Sequence, residues 1–455
     1  MSFKYLLRQS SIVICVTFYL FVGPSPAWSQ TPGIDGNRWT STGGIALTQT
    51  QGFGQGAPMR LTWGFAQDNT TFIPSFNAGP GANSNLIARL DQIYNSASSN
   101  TDLTQRPWFS LFDSVFQRWA SISGLDFFYE SNDDGAAFSN LNNSASRGLL
   151  GTRADIRIGG RPIDGNSGTL AFNFFPNVGE MVIDTNDTYY NTTTNNSLRL
   201  RNVVAHEIGH GIGMAHVFTS QTGINALMNP TINLTFDGPQ YHDIIVAQRA
   251  YGDALEKGLG NDTAALSTSL GVIQDGGSVS IGNSARTFAV APADTDFISI
   301  DDQSDIDFFS FTVNSAGSVS ILLEALGFSY LTQPQGSNGQ PTGSNVTFNT
   351  RERVDLNLSL FDTNGTSLLS FQNQTGLGGN EEINDFFLAQ AGTYFIRVAG
   401  TNNPDSTTLD TQFYGLSVNF VAVIPEPNAF WLLLATSLWL GGRRRRTAGL
   451  TGCSI

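Results

Sequence analysis

Cysteine is nearly absent from this chain of 455 residues: there are two, Cys15 and Cys453, and each lies close to an end. No disulfide framework and no cysteine-based chemistry is expected between those ends. Histidine is also scarce, with four in all, and charged side chains make up only 13% of the chain. Basic residues are the minority among them, 23 against 37 acidic, for a net charge of −14. That balance argues against a nucleic-acid partner and favours solubility and cation binding. What the chain has instead is glycine, 48 residues of it, with abundant Asn, Ser and Thr and a 40% hydrophobic content. This is enough to bury a sizeable core in two domains, with the composition of a polar, β-rich extracellular protein.

Both ends read as addresses. Residues 1–29 carry Lys4 and Arg8, an apolar run from Ile12 to Val22, then small residues at Ala27 and Ser29. A secretory signal peptide cleaved before Gln30 is expected, since the run is short for a membrane anchor. Residues 422–455 hold Pro425, Glu426 and Pro427, an apolar segment from Ala429 to Leu440, and four arginines. The expectation is a short transmembrane segment with its basic tail on the cytoplasmic side, and with it a transient membrane association. The order of triplet, apolar run and basic end resembles the PEP-CTERM sorting signal of Gram-negative bacteria. That resemblance implies an exosortase-type partner and export through the periplasm to the surface or extracellular matrix.

Between the ends, the chain changes character near residue 255. Residues 30–255 mix strand-like runs such as "MRLTWGF" and "ADIRIGG" with helical ones. In "PWFSLFDSVFQRWASI", Trp108, Phe112, Val115 and Trp119 recur at helical spacing, a core stripe. Residues 256–421 are rich in Gly, Ser and Thr, with short alternating runs between turn signals, the pattern of an antiparallel sandwich.

Three of the four histidines fall within "AHEIGHGIGMAH", residues 205–216. His206 and His210 are one helical turn apart and leave the same face. Neutral imidazoles are preferred zinc ligands, and a catalytic zinc keeps three protein ligands and one open position. His216 lies ten residues beyond His206, about 15 Å along a continued helix, so the chain must reverse for it to reach the same ion. Gly213 is the residue that can take a positive φ at such a reversal. Glu207, beside the first ligand, is then the candidate general base for a water-mediated hydrolysis.

The extended pattern, with Met228 twelve residues after His216 in "ALMNP", resembles the metzincin metalloproteases, whose signature includes a later methionine turn. "IDGNSGTLAFNFFPNVGEMVIDTND" and "YHDIIVAQRAYG" narrow the resemblance to the matrixin branch, while "ADIRI" is similar to the edge strand beside its substrate cleft. The resemblance implies an α+β zincin-like catalytic domain with a mixed twisted sheet and long helices. It places calcium ligands at Asp164, Asp184 and Asp187, with backbone oxygens from Gly165, Ser167 and Thr169; turn formation is the alternative role of these residues. It also places Asn229, Pro230 and Thr231 along the specificity pocket. Phe172 and Val182 stand where matrixins hold a second, structural zinc with histidine, so one zinc is expected, not two. The matrixin cysteine switch is absent as well.

The second part resembles the bacterial pre-peptidase C-terminal domain in "GNDTAALSTSLG", "SDIDFFSFTV", "DLNLSLFDTNG" and "AGTYFIRVAG". An all-β sandwich serving as a spacer or secretion module is implied, with Asp305 and Asp307 read as turn caps and cation binding as their alternative. The whole implies a secreted zinc endopeptidase with a polypeptide substrate. The alternative is a surface or biofilm-matrix binding protein that uses the same fold with little turnover.

Overall fold

The computed structural model describes residues 38–43, 54–72, 83–96, 101–139, 148–219, 224–302, 304–333, 345–401 and 410–423. The first part is a five-stranded sheet with helices packed on it. Its strands are β1 (Met59–Phe65), β2 (Leu125–Tyr129), β3 (Ile156–Arg161), β4 (Ala171–Asn173) and β5 (Glu180–Asp184), in the spatial order β2-β1-β3-β5-β4. The first four in that order run parallel, and β4 closes the edge antiparallel to β5. The helices are α1 (Leu86–Tyr94), α2 (Phe109–Ser121), α3 (Thr194–Gly211) and α4 (Tyr241–Tyr251).

The α2 stripe is buried as its spacing predicts. Trp63 on β1 stacks on Phe116 at 4.5 Å and on Phe109 at 5.4 Å, while Phe65 meets Phe112 edge-on at 5.0 Å. Trp119 donates from its indole nitrogen to the Ala205 carbonyl at 3.1 Å, fixing α2 against the helix that carries the histidines. "ADIRI" is not the edge strand that the resemblance implied. Strand β3 is interior, hydrogen-bonded between β1 and β5 with all six residues buried, and the edges are β2 and β4.

The second part is almost entirely β. Its strands are β7 (Thr268–Ile273), β8 (Ser278–Ile281), β9 (Ser299–Ile300), β10 (Ile306–Val313), β11 (Gly317–Ala325), β12 (Ser329–Gln333), β13 (Val346–Asn349), β14 (Asp355–Phe361), β15 (Leu368–Gln372), β16 (Glu381–Leu388), β17 (Gly392–Thr401) and β18 (Gln412–Ala422). One sheet has the order β15-β14-β17-β10-β7, the other β16-β11-β18-β8. Alternate residues, such as Phe309, Phe311 and Val313 on β10 and Val319, Ile321 and Leu323 on β11, fill the core between them. The pattern is antiparallel except for β7, which runs parallel to β10.

The two parts share apolar packing. Ala285, Val290, Phe297, Leu326, Tyr330, Phe348 and Phe413 from the second part belong to the same buried cluster as the helices of the first part. A short strand, β6 (Phe218–Thr219), pairs with β12, so a three-stranded sheet β13-β12-β6 crosses from one part to the other.

The transmembrane segment and the transient membrane association expected from the tail require correction. Among the described residues, no helix is long and apolar enough to cross a membrane. The apolar stretch from Ala429 to Leu440 lies outside the described residues, as do the segments read from sequence as a signal peptide and a sorting signal.

Trp63→Ala removes a fully buried ring from the β1–α2 stack and is expected to lower the unfolding free energy by about 3–5 kcal/mol. A denaturant titration measures this, and an unchanged midpoint would contradict the core as described.

Candidate metal centre

Helix α3 delivers the first two histidines. Asn195, Asn196 and Ser197 have positive φ at its start, so the regular right-handed helix begins after Ser197 and runs to Gly211. It stops where the reversal was expected: Gly213 adopts φ +104°, its amide donating to the His210 carbonyl at 2.9 Å and that of Met214 to the Gly209 carbonyl at 2.9 Å. The chain then turns back and brings His216 alongside.

The three rings meet at one point. Nε2 of His216 lies 3.3 Å from Nε2 of His206 and 3.1 Å from Nε2 of His210. Nitrogens about 2.0–2.1 Å from a tetrahedral zinc stand about 3.3–3.4 Å apart, so the triad fits that ion. The outer nitrogens set the tautomer. Nδ1 of His206 faces the Leu227 carbonyl and Nδ1 of His210 the Met214 carbonyl, both at 2.7 Å. Each Nδ1 must therefore carry the proton, leaving the Nε2 lone pair free for a metal.

Electrostatics agree. Burial pushes the pKa of His206 down to about 4 and, with the neighbouring His206 ring adding to it, that of His210 to about 3. His216 is held well below its ordinary value for the same reasons. All three are neutral at pH 7, as metal ligation requires.

Around this point the packing is close. A Cβ at Gly209 would sit 2.2 Å from the Met228 sulfur, which shows that the methionine of the turn lies directly against the ligand helix. Asn173 on β4 donates from Nδ2 to the Glu207 carbonyl at 2.8 Å, tying the edge strand to α3. The Glu207 side chain is buried, and its position next to His206 places it on the ligand-bearing segment. Asn229 and Pro230 after the turn are half-buried and Thr231 is exposed, and Asn229 Oδ1 accepts from the Thr231 amide at 3.0 Å.

Asp243, on α4, was not apparent from metal-ligand spacing. Its carboxylate accepts from the amides of Leu227 at 2.7 Å, Met228 at 3.1 Å and Gln240 at 2.8 Å. It therefore clamps the methionine turn, whose Leu227 carbonyl orients His206. One signal was available: Gln240 and Asp243 form a capping box, a pattern legible in sequence.

In the loop of Asp164, Asp184 and Asp187 the carboxylates are turned largely onto backbone. Asp184 accepts from the amides of Ile163, Gly165 and Asn186 at 2.8–3.0 Å, and Asp164 from that of Thr169 at 2.8 Å. Asp187 caps a short 3-10 turn through Oδ1, while its buried Oδ2 has no hydrogen-bond partner. Gly165 and Ser167 both have positive φ, as a tight loop requires.

A second convergence of oxygen donors lies elsewhere. Glu256, Asp305 and Asp307 present carboxylate oxygens within 4.8 Å of one another. Asp307 is not a turn cap: it is fully buried at the start of β10, with Tyr414 donating to its Oδ2 at 2.6 Å and its Oδ1 without a partner. Asn261, 1% exposed, lies against Asp307, and its Oδ1 is also without a partner. Burial raises the pKa of all three acids, and other carboxylates, Asp253 and Asp262 among them, raise it further.

Comparison with known proteins accords with these two regions. Residues 89–252 match the matrixin family model, and residues 305–400 match that of the bacterial pre-peptidase C-terminal domain. Metalloendoproteinase 4-MMP of Arabidopsis thaliana is 24% identical over 210 residues, covering 43% of this chain and 46% of that protein. Interstitial collagenase of Bos taurus is 30% identical over 176 residues, covering 37% and 32%. The chain thus spans less than half the length of these curated relatives. The pre-peptidase C-terminal domain of a Bacillus anthracis collagenase aligns with 34% of this chain and 96% of its own length, at 15% identity and a TM-score of 0.19, a likeness too slight to argue from. The chain carries a matrixin-like peptidase domain followed by a bacterial pre-peptidase C-terminal domain, an architecture consistent with an exported, surface-associated protein.

Two outcomes follow from this geometry. Gly209→Ala forces the Met228 side chain away from the ligand helix and is expected to weaken zinc binding about 10-fold or more in a chelator competition. Metal-free protein should also lose stability as pH falls. The unfolded imidazoles titrate near 6.5 and the buried ones near 4 or below, so between those values the unfolded chain takes up protons the native fold does not. Urea midpoints measured from pH 7 to pH 4 test this, and His206→Ala should flatten the slope.

Proposed function

We propose that this chain is an exported, zinc-dependent endopeptidase that hydrolyses peptide bonds in polypeptide substrates. The observation that carries the reading is the convergence of three neutral imidazoles, with Nε2 of His216 3.3 Å from that of His206 and 3.1 Å from that of His210, and Glu207 adjacent to the first ligand on the same helix. Zinc bound there supplies a Lewis acid that polarises the scissile carbonyl and the attacking water. His206, His210 and His216 would hold the ion, and carbonyl partners keep the first two rings from rotating away. Glu207 accepts the proton that the water loses as its oxygen bonds to the carbonyl carbon. It then returns that proton to the amine nitrogen as the C–N bond breaks. Met228 and Gly213 are structural in this scheme, and Asn229, Pro230 and Thr231 line the pocket for the side chain beyond the cleaved bond.

The same reading takes 1–29 as a signal peptide, 30–255 as the peptidase, 256–421 as the sandwich and 422–455 as a PEP-CTERM sorting signal. It places the protein outside a Gram-negative-type cell, by way of the periplasm. A hard cation, calcium by its oxygen donors, belongs to it as well. Glu256, Asp305, Asp307 and the partnerless Asn261 Oδ1 are the stronger candidate for that ion, because their carboxylate oxygens converge within 4.8 Å and Asp307 Oδ1 is buried without a hydrogen-bond partner. The Asp164, Asp184 and Asp187 loop is the weaker one, since its oxygens already accept backbone amides.

The decisive experiment compares wild type with Glu207→Ala on a fluorogenic peptide library. Chelator-sensitive cleavage is expected in the wild type and its loss, by at least about 100-fold, in the variant, with one zinc per chain retained by both. Equal activity in both would refute the role of Glu207, and zinc-loaded protein without cleavage would refute the peptidase. Calcium should raise the melting temperature of the wild type but not of Asp307→Asn. If Asp187→Asn abolishes the shift instead, the ion belongs to the first loop.

A further inference from the structure

The pre-peptidase C-terminal module reads in sequence as a spacer, yet two of its strands reach the metal centre by two routes. The first passes through β6. Strand β12 pairs antiparallel with β6, placing Gln333 opposite Phe218 and Thr332 opposite Thr219. Thr332 is fully buried and donates from Oγ1 to the Phe218 carbonyl at 3.3 Å. Phe218 is two residues beyond the third ligand and its ring stands edge-on to the His216 ring at 6.3 Å. Between them, the Val217 amide donates to the Met228 carbonyl at 3.0 Å. The arm that carries His216 is therefore pinned on one side to the methionine turn and on the other to the second domain.

The second route passes through α4. Its first turn, Tyr241–His242–Asp243, faces two ways. Tyr241 packs against Phe288, Phe328 and Phe413, with ring centroids 5.1–5.3 Å away. The Tyr330 hydroxyl on β12 is hydrogen-bonded to Nδ1 of His242, whose ring also meets Phe348 of β13 edge-on at 5.7 Å. Asp243, the next residue, holds the amides of Leu227 and Met228, and the Leu227 carbonyl orients His206. Contacts made by the second domain thus lead to two of the three ligands: to His206 through Asp243 and the Leu227 carbonyl, and to His216 through the backbone pinned at Phe218 and its ring contact.

We propose that the β12–β13 pair is a built-in part of the metal centre, with Tyr330 and Thr332 as positioning residues that hold His206 and His216 in register. The inference rests on the reading of the histidines as zinc ligands but not on peptide cleavage. A ligand arm that is anchored before the metal arrives loses less freedom on binding, so the anchored site binds more tightly than a free one. The second domain acts on the first through a continuous core and two hydrogen-bonded contacts, which makes it inseparable from the peptidase rather than carried beside it.

The test uses the full chain with Tyr330→Phe and Thr332→Val, singly and together, and Leu358→Ala as a control. Leu358 is fully buried in the sandwich core away from the pair, so its truncation destabilises the second domain without touching either route. Zinc affinity is read by chelator competition well below each melting temperature, with cobalt substitution reporting ligand geometry and amide hydrogen exchange of Val217 and Phe218 followed in metal-free protein. The double variant is expected to bind zinc about 10-fold more weakly, with a shifted cobalt spectrum and faster exchange at both amides. Leu358→Ala should lower the melting temperature and leave zinc affinity within about twofold. Unchanged affinity in the double variant, or an equal loss in Leu358→Ala, overturns the proposal. Tight zinc binding by a wild type that cleaves no peptide would refute the peptidase reading alone.

Discussion

The arrangement depends on bringing three buried imidazole nitrogens to one point. Neutral rings tolerate burial far better than charged ones, and each outer nitrogen that donates to a carbonyl removes both a desolvation penalty and a rotational freedom. His206 and His210 do this through the Leu227 and Met214 carbonyls. Those carbonyls belong to segments outside the helical run of the ligands: one to the methionine turn, the other to the reversal after Gly213. The metal centre is therefore only as rigid as the loops behind it.

That requirement explains the packing around α3. Trp119 fastens α2 to the helix from behind, Asn173 fastens the edge strand from the side, and Met228 presses on Gly209 from beneath. Asp243 then holds the methionine turn with a carboxylate that burial pushes up to about 6, although three donated amides oppose that rise. A buried carboxylate in that position is expensive to desolvate, and its amide partners offset the cost only if α4 is correctly seated. The seating of α4 comes from Tyr241 and His242, which pack on the second domain. Stability of one region and geometry of the other are the same problem in this fold.

Much of this was legible in one dimension. A helical period gave away the α2 stripe, and an i, i+4 pair of histidines with a glycine before the third gave away both the ligand set and the reversal at Gly213. Alternating runs separated by turns identified the sandwich. These features are local: each depends on spacing along the chain and on the conformational preferences of single residues, which any sequence displays directly.

Other features belong to the tertiary structure alone. Strand β3 resembled an edge and is central, because sheet order is set by long-range pairing of its backbone with β1 on one side and β5 on the other. Asp307 resembled a turn cap and is buried beside Glu256, 51 positions earlier in the chain. Asp164 and Asp184, read as cation ligands from the resemblance, also accept backbone amides of their own loop, contacts that spacing alone does not display. Nor did any pattern in residues 256–421 announce that Tyr330 and Thr332 would reach the helix and strand behind the histidines. The sequence by itself determined which side chains can ligate and where the helix must end, since spacing and a missing Cβ decide both. Which carbonyls hold those rings, and that a second domain stands behind them, was decided only by long-range packing, where residues distant in sequence compete for the same buried space.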